Sequence, residues 1–278
     1  VVAYVAETGD VDLLGLEVPF AEGTPATVYE HLRRALEFSA EHVGANGVAL
    51  GLRADWNDCL NLGGGESSLV TFLHAWAIRA FLEVAHDEDR PRWLEELARL
   101  EQVADEQLWD GRWWRRGITR AGVTIGSAAN AEGKIFLEHQ AWPVIGGLTT
   151  RERGLASMDA VHELLASPYG NHLNWPSFTH VDDTVGFLTR VYPGIKENGA
   201  IFSHPNAWPI IAEALLGRGD EAVAFYDAIC PYLQNDDIET RQAEPYVYCQ
   251  FVYGRDHARY GLAQNPWLTG TAGWMYTA

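Results

Sequence analysis

The chain has 278 residues, 47% hydrophobic and 21% charged, which is enough apolar mass for a large buried core and too much for a disordered segment. Its net charge of -18 comes with no basic cluster, so nucleic acid is not an expected partner and any anionic ligand must be met by a local pocket. Cys59, Cys230 and Cys249 form no C-x-x-C pair, and no apolar run has membrane-spanning or signal-peptide character, so a reducing, cytoplasmic setting away from membranes is expected.

In chain order, residues 1–8 read as the end of a helix closed by Gly9-Asp10. That stretch starts in mid-helix without Met, and Trp274 to Ala278 carry no cap, so the chain is expected to be a segment of a longer protein. From Thr24-Pro25 to Gly44, Val28, Leu32, Ala35, Leu36 and Val43 keep helical spacing, with Glu30, Arg33, Arg34, Glu37 and Glu41 outside. A Gly-rich loop over 46–66 follows, and Ser67 or Ser68 caps a helix running to Val84 that is apolar on nearly all sides. Another helix is expected from Arg92 to Trp109, a short hairpin to Ile125, and a helix pair over 132–148 and 155–166. Residues 167–200 read as irregular, helices return at 204–217 and 219–233, an extended stretch covers 244–253, and a last helix starts near Trp267.

Helix follows helix with no βαβ alternation, no GxGxxG and no Walker sequence, and no strict repeat is evident. This pattern predicts an all-α fold, an α/α toroid in a single domain over 1–278, with a few short strands in its loops. Loops this long usually carry function, so 46–66, 167–203 and 235–265 are where a site is expected.

The first constellation is Arg53-Ala54-Asp55-Trp56-Asn57-Asp58-Cys59. An indole face covers the apolar face of a sugar ring, and carboxylate and amide groups take its hydroxyls. A carboxyl beside an aromatic wall can also be tuned to give up a proton. The plainer alternative is that Asp55 and Asp58 cap a turn and Trp56 is core.

The second runs from Lys196-Glu197-Asn198-Gly199 to Ser203-His204-Pro205-Asn206-Ala207-Trp208. Pro205 suits the first position of a helix, so His204 and the free N–H groups after it lie where an anion could be held. Alternatively, Lys196 and Glu197 are solvated and His204 is a cap. The third combines Glu244-Pro245-Tyr246-Val247-Tyr248-Cys249-Gln250 with Trp267-Leu268-Thr269-Gly270-Thr271-Ala272. Thr269 and Gly270 could offer a hydroxyl and a bare N–H to phosphate, or form an ordinary cap, and Gln250 could equally be a buried amide. The histidines and cysteines lack metal-site spacing, and G-x-S-x-G is absent, so neither a metal centre nor serine chemistry is expected.

Taken together, these runs resemble the catalytic domain of glycoside hydrolase family 94, the cellobiose and chitobiose phosphorylases and their relatives. The resemblance implies an (α/α)6 barrel, incomplete at both ends here, and reversible inverting phosphorolysis of a β-glucoside to α-glucose 1-phosphate and a free sugar. Cellobiose is the expected substrate; diacetylchitobiose phosphorolysis and inverting hydrolysis with Asp58 as acid and Glu197 as base are the alternatives. By the same resemblance, Asp58 is the general acid, Arg53 and Trp56 lie near the donor sugar, and Lys196 and Glu197 contact the acceptor. His204, Gln250, Thr269 and Gly270 make the phosphate site, with phosphate a co-substrate and no cofactor, in a protein expected to be a homodimer. The family's N-terminal β-sandwich, first barrel helices and C-terminal jelly roll have no counterpart in these residues.

Overall fold

The computed structural model describes residues 1–278. Ten α-helices follow in order: α1 (Val2–Thr8), α2 (Val28–Glu41), α3 (Ser68–Leu82), α4 (Arg90–Val103), α5 (Glu138–Ile145), α6 (Arg151–Leu164), α7 (Ala207–Leu215), α8 (Gly219–Ile229), α9 (Ile238–Arg241) and α10 (Thr271–Thr277). Short strands lie in the connections: β1 (Glu17–Val18), β2 (Ala26–Thr27), β3 (Glu66–Ser67), β4 (Gly117–Ile118), β5 (Thr124–Ile125), β6 (Ile135–Phe136), β7 (Asn174–Trp175), β8 (Ile201–Phe202), β9 (Cys249–Val252) and β10 (Ala263–Pro266). They pair into four small antiparallel sheets, in the orders β1-β2, β3-β4-β5, β6-β7 and β10-β9-β8. No helix is long and apolar enough to cross a membrane.

Helices α3, α5, α7 and α10 touch in succession, and α4, α6 and α8 each pack on the preceding member of that row. This in–out alternation is a toroid-like arc. Each inner helix contributes one tryptophan, and Trp76, Trp142, Trp208 and Trp274 stand at equal intervals along the chain, a periodicity the sequence reading missed. Their rings meet edge to face, with centroids 5.9 Å apart for Trp76 and Trp142, 5.4 Å for Trp142 and Trp208, and 5.9 Å for Trp208 and Trp274. Each such contact adds roughly 0.5–1.5 kcal/mol beyond burial alone. One large core runs from Tyr29 to Met275, and a smaller one, containing Leu60, Leu62, Phe178, Val185 and Leu188, lies under the 57–62 loop.

Most local expectations hold. Ser67 caps α3, its Oγ accepting the Val70 N–H at 3.3 Å, and α1 ends on Gly9 in the left-handed region at φ 71°. Two differ. The helix expected to reach Trp109 leaves α geometry after Val103 and finishes in a π turn over Ala104–Leu108. The last helix begins at Thr271 rather than near Trp267, because Trp267 sits at φ 71° and its N–H extends the sheet by donating to the Tyr248 carbonyl at 3.1 Å.

Candidate active site

Eight of the nine residues singled out for chemistry line one cavity of about 440 Å³: Trp56, Asp58, Lys196, Glu197, His204, Gln250, Thr269 and Gly270, with Asn57, Cys59, Phe202 and Leu268 between them. It lies where the segments leading into α3, α7 and α10 converge. Arg53 is apart from them. Although on the same loop, it lines an adjoining groove with Phe38, Ser39, His42, Leu50 and Val70.

The loop that carries Asp58 is built from two successive Asx turns. Asp55 Oδ1 accepts the Asn57 N–H at 3.0 Å, and Asn57 Oδ1 accepts the Cys59 N–H at 3.1 Å. Asp55 is otherwise occupied as well: Arg116 Nη2 donates to it at 2.7 Å and Ser67 Oγ at 2.6 Å, with both charged side chains buried. Burial pushes the Asp55 pKa up, but the Arg116 charge and the hydrogen bonds from Ser67 and the Asn57 N–H together outweigh it and hold the carboxyl below its usual range. Downstream, the Cys59 carbonyl accepts the Leu188 N–H at 2.8 Å. Gly186 allows that approach: it takes φ 139°, and a Cβ there would lie 2.7 Å from the Cys59 oxygen. Asp58, by contrast, is exposed and no side chain or N–H pairs with its carboxyl. The two aspartates are thus separated by environment, Asp55 holding the turn and Asp58 facing the cavity.

The opposite wall is tied together by the β10-β9-β8 sheet. Phe202 pairs with Phe251, Pro266 with Cys249, and the Ser203 N–H donates to the Gln250 carbonyl at 3.0 Å. These pairings place the start of the His204 turn, Gln250 and the Trp267–Gly270 segment side by side. Trp56 Nε1 is 3.1 Å from His204 Nδ1. An indole nitrogen can only donate, so Nδ1 is the acceptor and Nε2 carries the imidazole proton. Burial lowers the His204 pKa, which keeps the ring neutral with Nε2 as a donor. Gln250 is fixed in the same manner: its Oε1 accepts from Asn265 Nδ2 at 2.8 Å, which leaves its amide hydrogens as donors. Thr269 Oγ1 accepts the Thr271 N–H at 3.2 Å, so part of its hydroxyl capacity is used locally.

Lys196 and Glu197 occupy a tight turn, with Lys196 at φ 46°. Buried amides pin it: Asn198 Nδ2 donates to the Val191 carbonyl at 2.7 Å, and Asn174 Oδ1 accepts the Gly199 N–H at 2.9 Å. Glu197 Oε2 is buried and unpaired. The Cys59 thiol is pushed up to about 11, first by burial and then by the charges of Glu197 and Asp58, so this side of the cavity is locally negative. Sequence reasoning had Asn57 and Asn198 within its candidate runs but not as the amides that hold the turns, and it missed Asn174 and above all Arg116. A buried arginine reached from a hairpin far along the chain leaves no local signal.

A helical, toroid-like domain with an aromatic, carboxylate-bearing cavity at the convergence of its inner helices is the class this architecture defines. The same fold occurs in a rhamnosidase from Klebsiella oxytoca with rhamnose bound, at a TM-score of 0.53 and 15% identity over 90% of this chain and 40% of that one. The family model "Glycosyl hydrolase 94 superfamily, catalytic domain" matches residues 1–278, and the chain belongs to that family. It is 54% identical to N,N'-diacetylchitobiose phosphorylase of Vibrio proteolyticus, over 99% of this chain and 35% of that protein. Identity to the enzyme of the same name from Vibrio furnissii is 53%, over 99% of this chain and 35% of that protein, and to solabiose phosphorylase of Paenibacillus borealis 37%, over 99% and 37%. The chain therefore spans about a third of the length of these relatives.

Proposed function

We propose that this chain carries out the inverting phosphorolysis of a β-linked disaccharide, with N,N'-diacetylchitobiose favoured over the cellobiose expected above. The names borne by the 54% and 53% identical relatives support that change of substrate. The observation that carries the reading is the pairing, across one cavity, of an unpaired carboxyl on Asp58 with a wall of neutral donors, His204 Nε2 and the Gln250 amide.

In this mechanism Asp58 gives its proton to the glycosidic oxygen as the C–O bond breaks, contributing about 10²–10⁴-fold. Phosphate, held by His204, Gln250, Thr269 and Gly270, attacks the anomeric carbon from the opposite face, so the β-linkage leaves as an α-sugar 1-phosphate. No second carboxylate is needed, because the nucleophile is already anionic. Trp56 packs against the donor sugar, Arg53 meets that sugar from the adjoining groove, and Lys196 and Glu197 hold the acceptor. The same reading takes residues 1–278 as one domain of (α/α)6 type and needs no cofactor. It also places the complete protein in the cytoplasm as a homodimer, a setting supported by the free thiols of Cys59, Cys230 and Cys249.

The test is incubation of the complete protein with diacetylchitobiose, or cellobiose, and inorganic phosphate, followed by NMR of the products. The expected result is an α-configured N-acetylglucosamine 1-phosphate that disappears in Asp58→Asn. Both Asp58 and Glu197 line the cavity, so sugar release without phosphate would instead favour an inverting hydrolase with Glu197 as base.

A further inference from the structure

Behind the Asp58 turn lies a polar cluster that phosphorolysis, as described, does not use. Arg116, Glu138 and His139 are wholly inaccessible to solvent. Glu138 and His139 open α5, and Glu138 Oε2 lies 3.7 Å from His139 Nδ1. Neither oxygen of Glu138, neither ring nitrogen of His139 nor Nε of Arg116 has a hydrogen-bond partner. Arg116 meanwhile commits Nη2 to Asp55, which holds the Asn57 N–H and through it the turn bearing Asp58. Gly126 secures this placement: at φ 83° it lets the backbone nitrogen of Arg116 approach where a Cβ would collide.

A buried carboxylate without donors is strongly disfavoured, so Glu138 is stable there as the neutral acid. Burial raises its pKa to about 7; the nearby Arg116 charge opposes the rise and Asp55 adds to it. His139, facing the same two charges, is held neutral mainly by burial. The guanidinium therefore has one charged partner at low pH and two competing for it once Glu138 ionises. Its unpartnered Nε is the donor available to the second.

We propose that Glu138 is a positioning residue for the general acid: protonated, it leaves Arg116 to Asp55 and the Asp58 turn is held, whereas ionised, it draws on Arg116 and the turn loosens. This rests on the reading of Asp58 as the acid. Two measurements on the complete protein test it separately from that reading.

The first is hydrogen exchange by mass spectrometry of the peptide containing Asn57 and Cys59, corrected for intrinsic rates. Wild type should lose protection there by about tenfold between pH 6 and pH 8.5, with α8 unchanged, and Glu138→Gln should keep it. The second is kcat for phosphorolysis, where the ratio of Glu138→Gln to wild type should rise about tenfold over the same range, with KM for phosphate unaltered. A purely packing role would give a ratio independent of pH. Flat exchange in the wild-type peptide overturns the proposal without any variant, even if Glu138→Gln fails to fold. Full exchange behaviour in a protein that makes no sugar phosphate would leave the linkage standing and remove phosphorolysis instead.

Discussion

Asp55 and Asp58 share a loop and a side-chain type, yet their surroundings assign them opposite work. Asp55 neutralises a buried Arg116 and accepts from Ser67 and the Asn57 N–H. Asp55→Asn would strand that guanidinium, and a loss of roughly 3–5 kcal/mol is expected from breaking a buried pair on one side. Asp58→Asn touches an exposed, unpaired carboxyl, so stability should shift by no more than about 0.5 kcal/mol while phosphorolysis is lost. Denaturant unfolding and turnover of the two variants measure this double dissociation, and a large destabilisation by Asp58→Asn would mean its carboxyl has a structural partner. Trp56 offers a similarly sharp case. Trp56→Phe keeps an aromatic face but removes the N–H that assigns the His204 tautomer. KM for phosphate should then rise by about tenfold, the cost of roughly one hydrogen bond, with the disaccharide KM nearly unchanged. Equal changes in both would make the indole a sugar contact and nothing more. From the sequence, Asp58, Trp56 and His204 were singled out because their residue types suit sugar and phosphate, and the fold brings all three to one cavity. The split between Asp55 and Asp58 was not legible, since it depends on Arg116, a residue 61 positions from Asp55.

At the scale of elements, the site is the place where inner helices begin, and each beginning is prepared by strand pairing. The β10-β9-β8 sheet brings three separate segments to one wall, which short strands without strong alternation could not announce in advance. The helices themselves were readable from apolar spacing and caps. The start of α10 was not, because the left-handed Trp267 is set by the carbonyl of Tyr248 across the sheet. The first turn of α5 carries a stability consequence of its own. Glu138 binds its proton more tightly folded than unfolded, with a folded pKa of about 7 against an ordinary 4.5. Between those values the folded state retains a proton the unfolded chain has lost, so this residue's contribution falls as pH rises from 4.5 to about 7 and is constant above. His139, with its pKa lowered, imposes the opposite slope below 6.5, so wild type alone would show little. The difference between Glu138→Gln and wild type isolates the effect: it should grow in favour of the variant to on the order of 3 kcal/mol by pH 7 and level off. Urea midpoints at pH 5, 6, 7 and 8 would measure it, and a pH-independent difference would mean that Glu138 is already ionised, or solvated, in the fold.

The whole molecule presents a contradiction between field and function. On the proposed reading a chain with net charge -18 must bind phosphate, although the cavity itself carries Asp58 and Glu197 against the single cation of Lys196. Neutral donors such as His204 Nε2 and the Gln250 amide resolve this locally, since they bind an anion by direction rather than by net charge. They do nothing for the approach from bulk, where the long-range field repels an anion and leaves an uncharged disaccharide unaffected. Raising ionic strength from about 0.01 M to 0.15 M shortens the screening length from about 30 Å to about 8 Å and removes most of that repulsion. KM for phosphate in the complete protein should therefore fall by a few-fold, about two to five, as sodium chloride is added over this range, while KM for the disaccharide stays constant. Competition by chloride would act with the opposite sign, so a fall cannot come from it. A phosphate KM that is flat or rises with salt would mean that cationic groups outside residues 1–278 dominate the field at the cavity mouth, and that the acidity of this domain is irrelevant to how phosphate arrives.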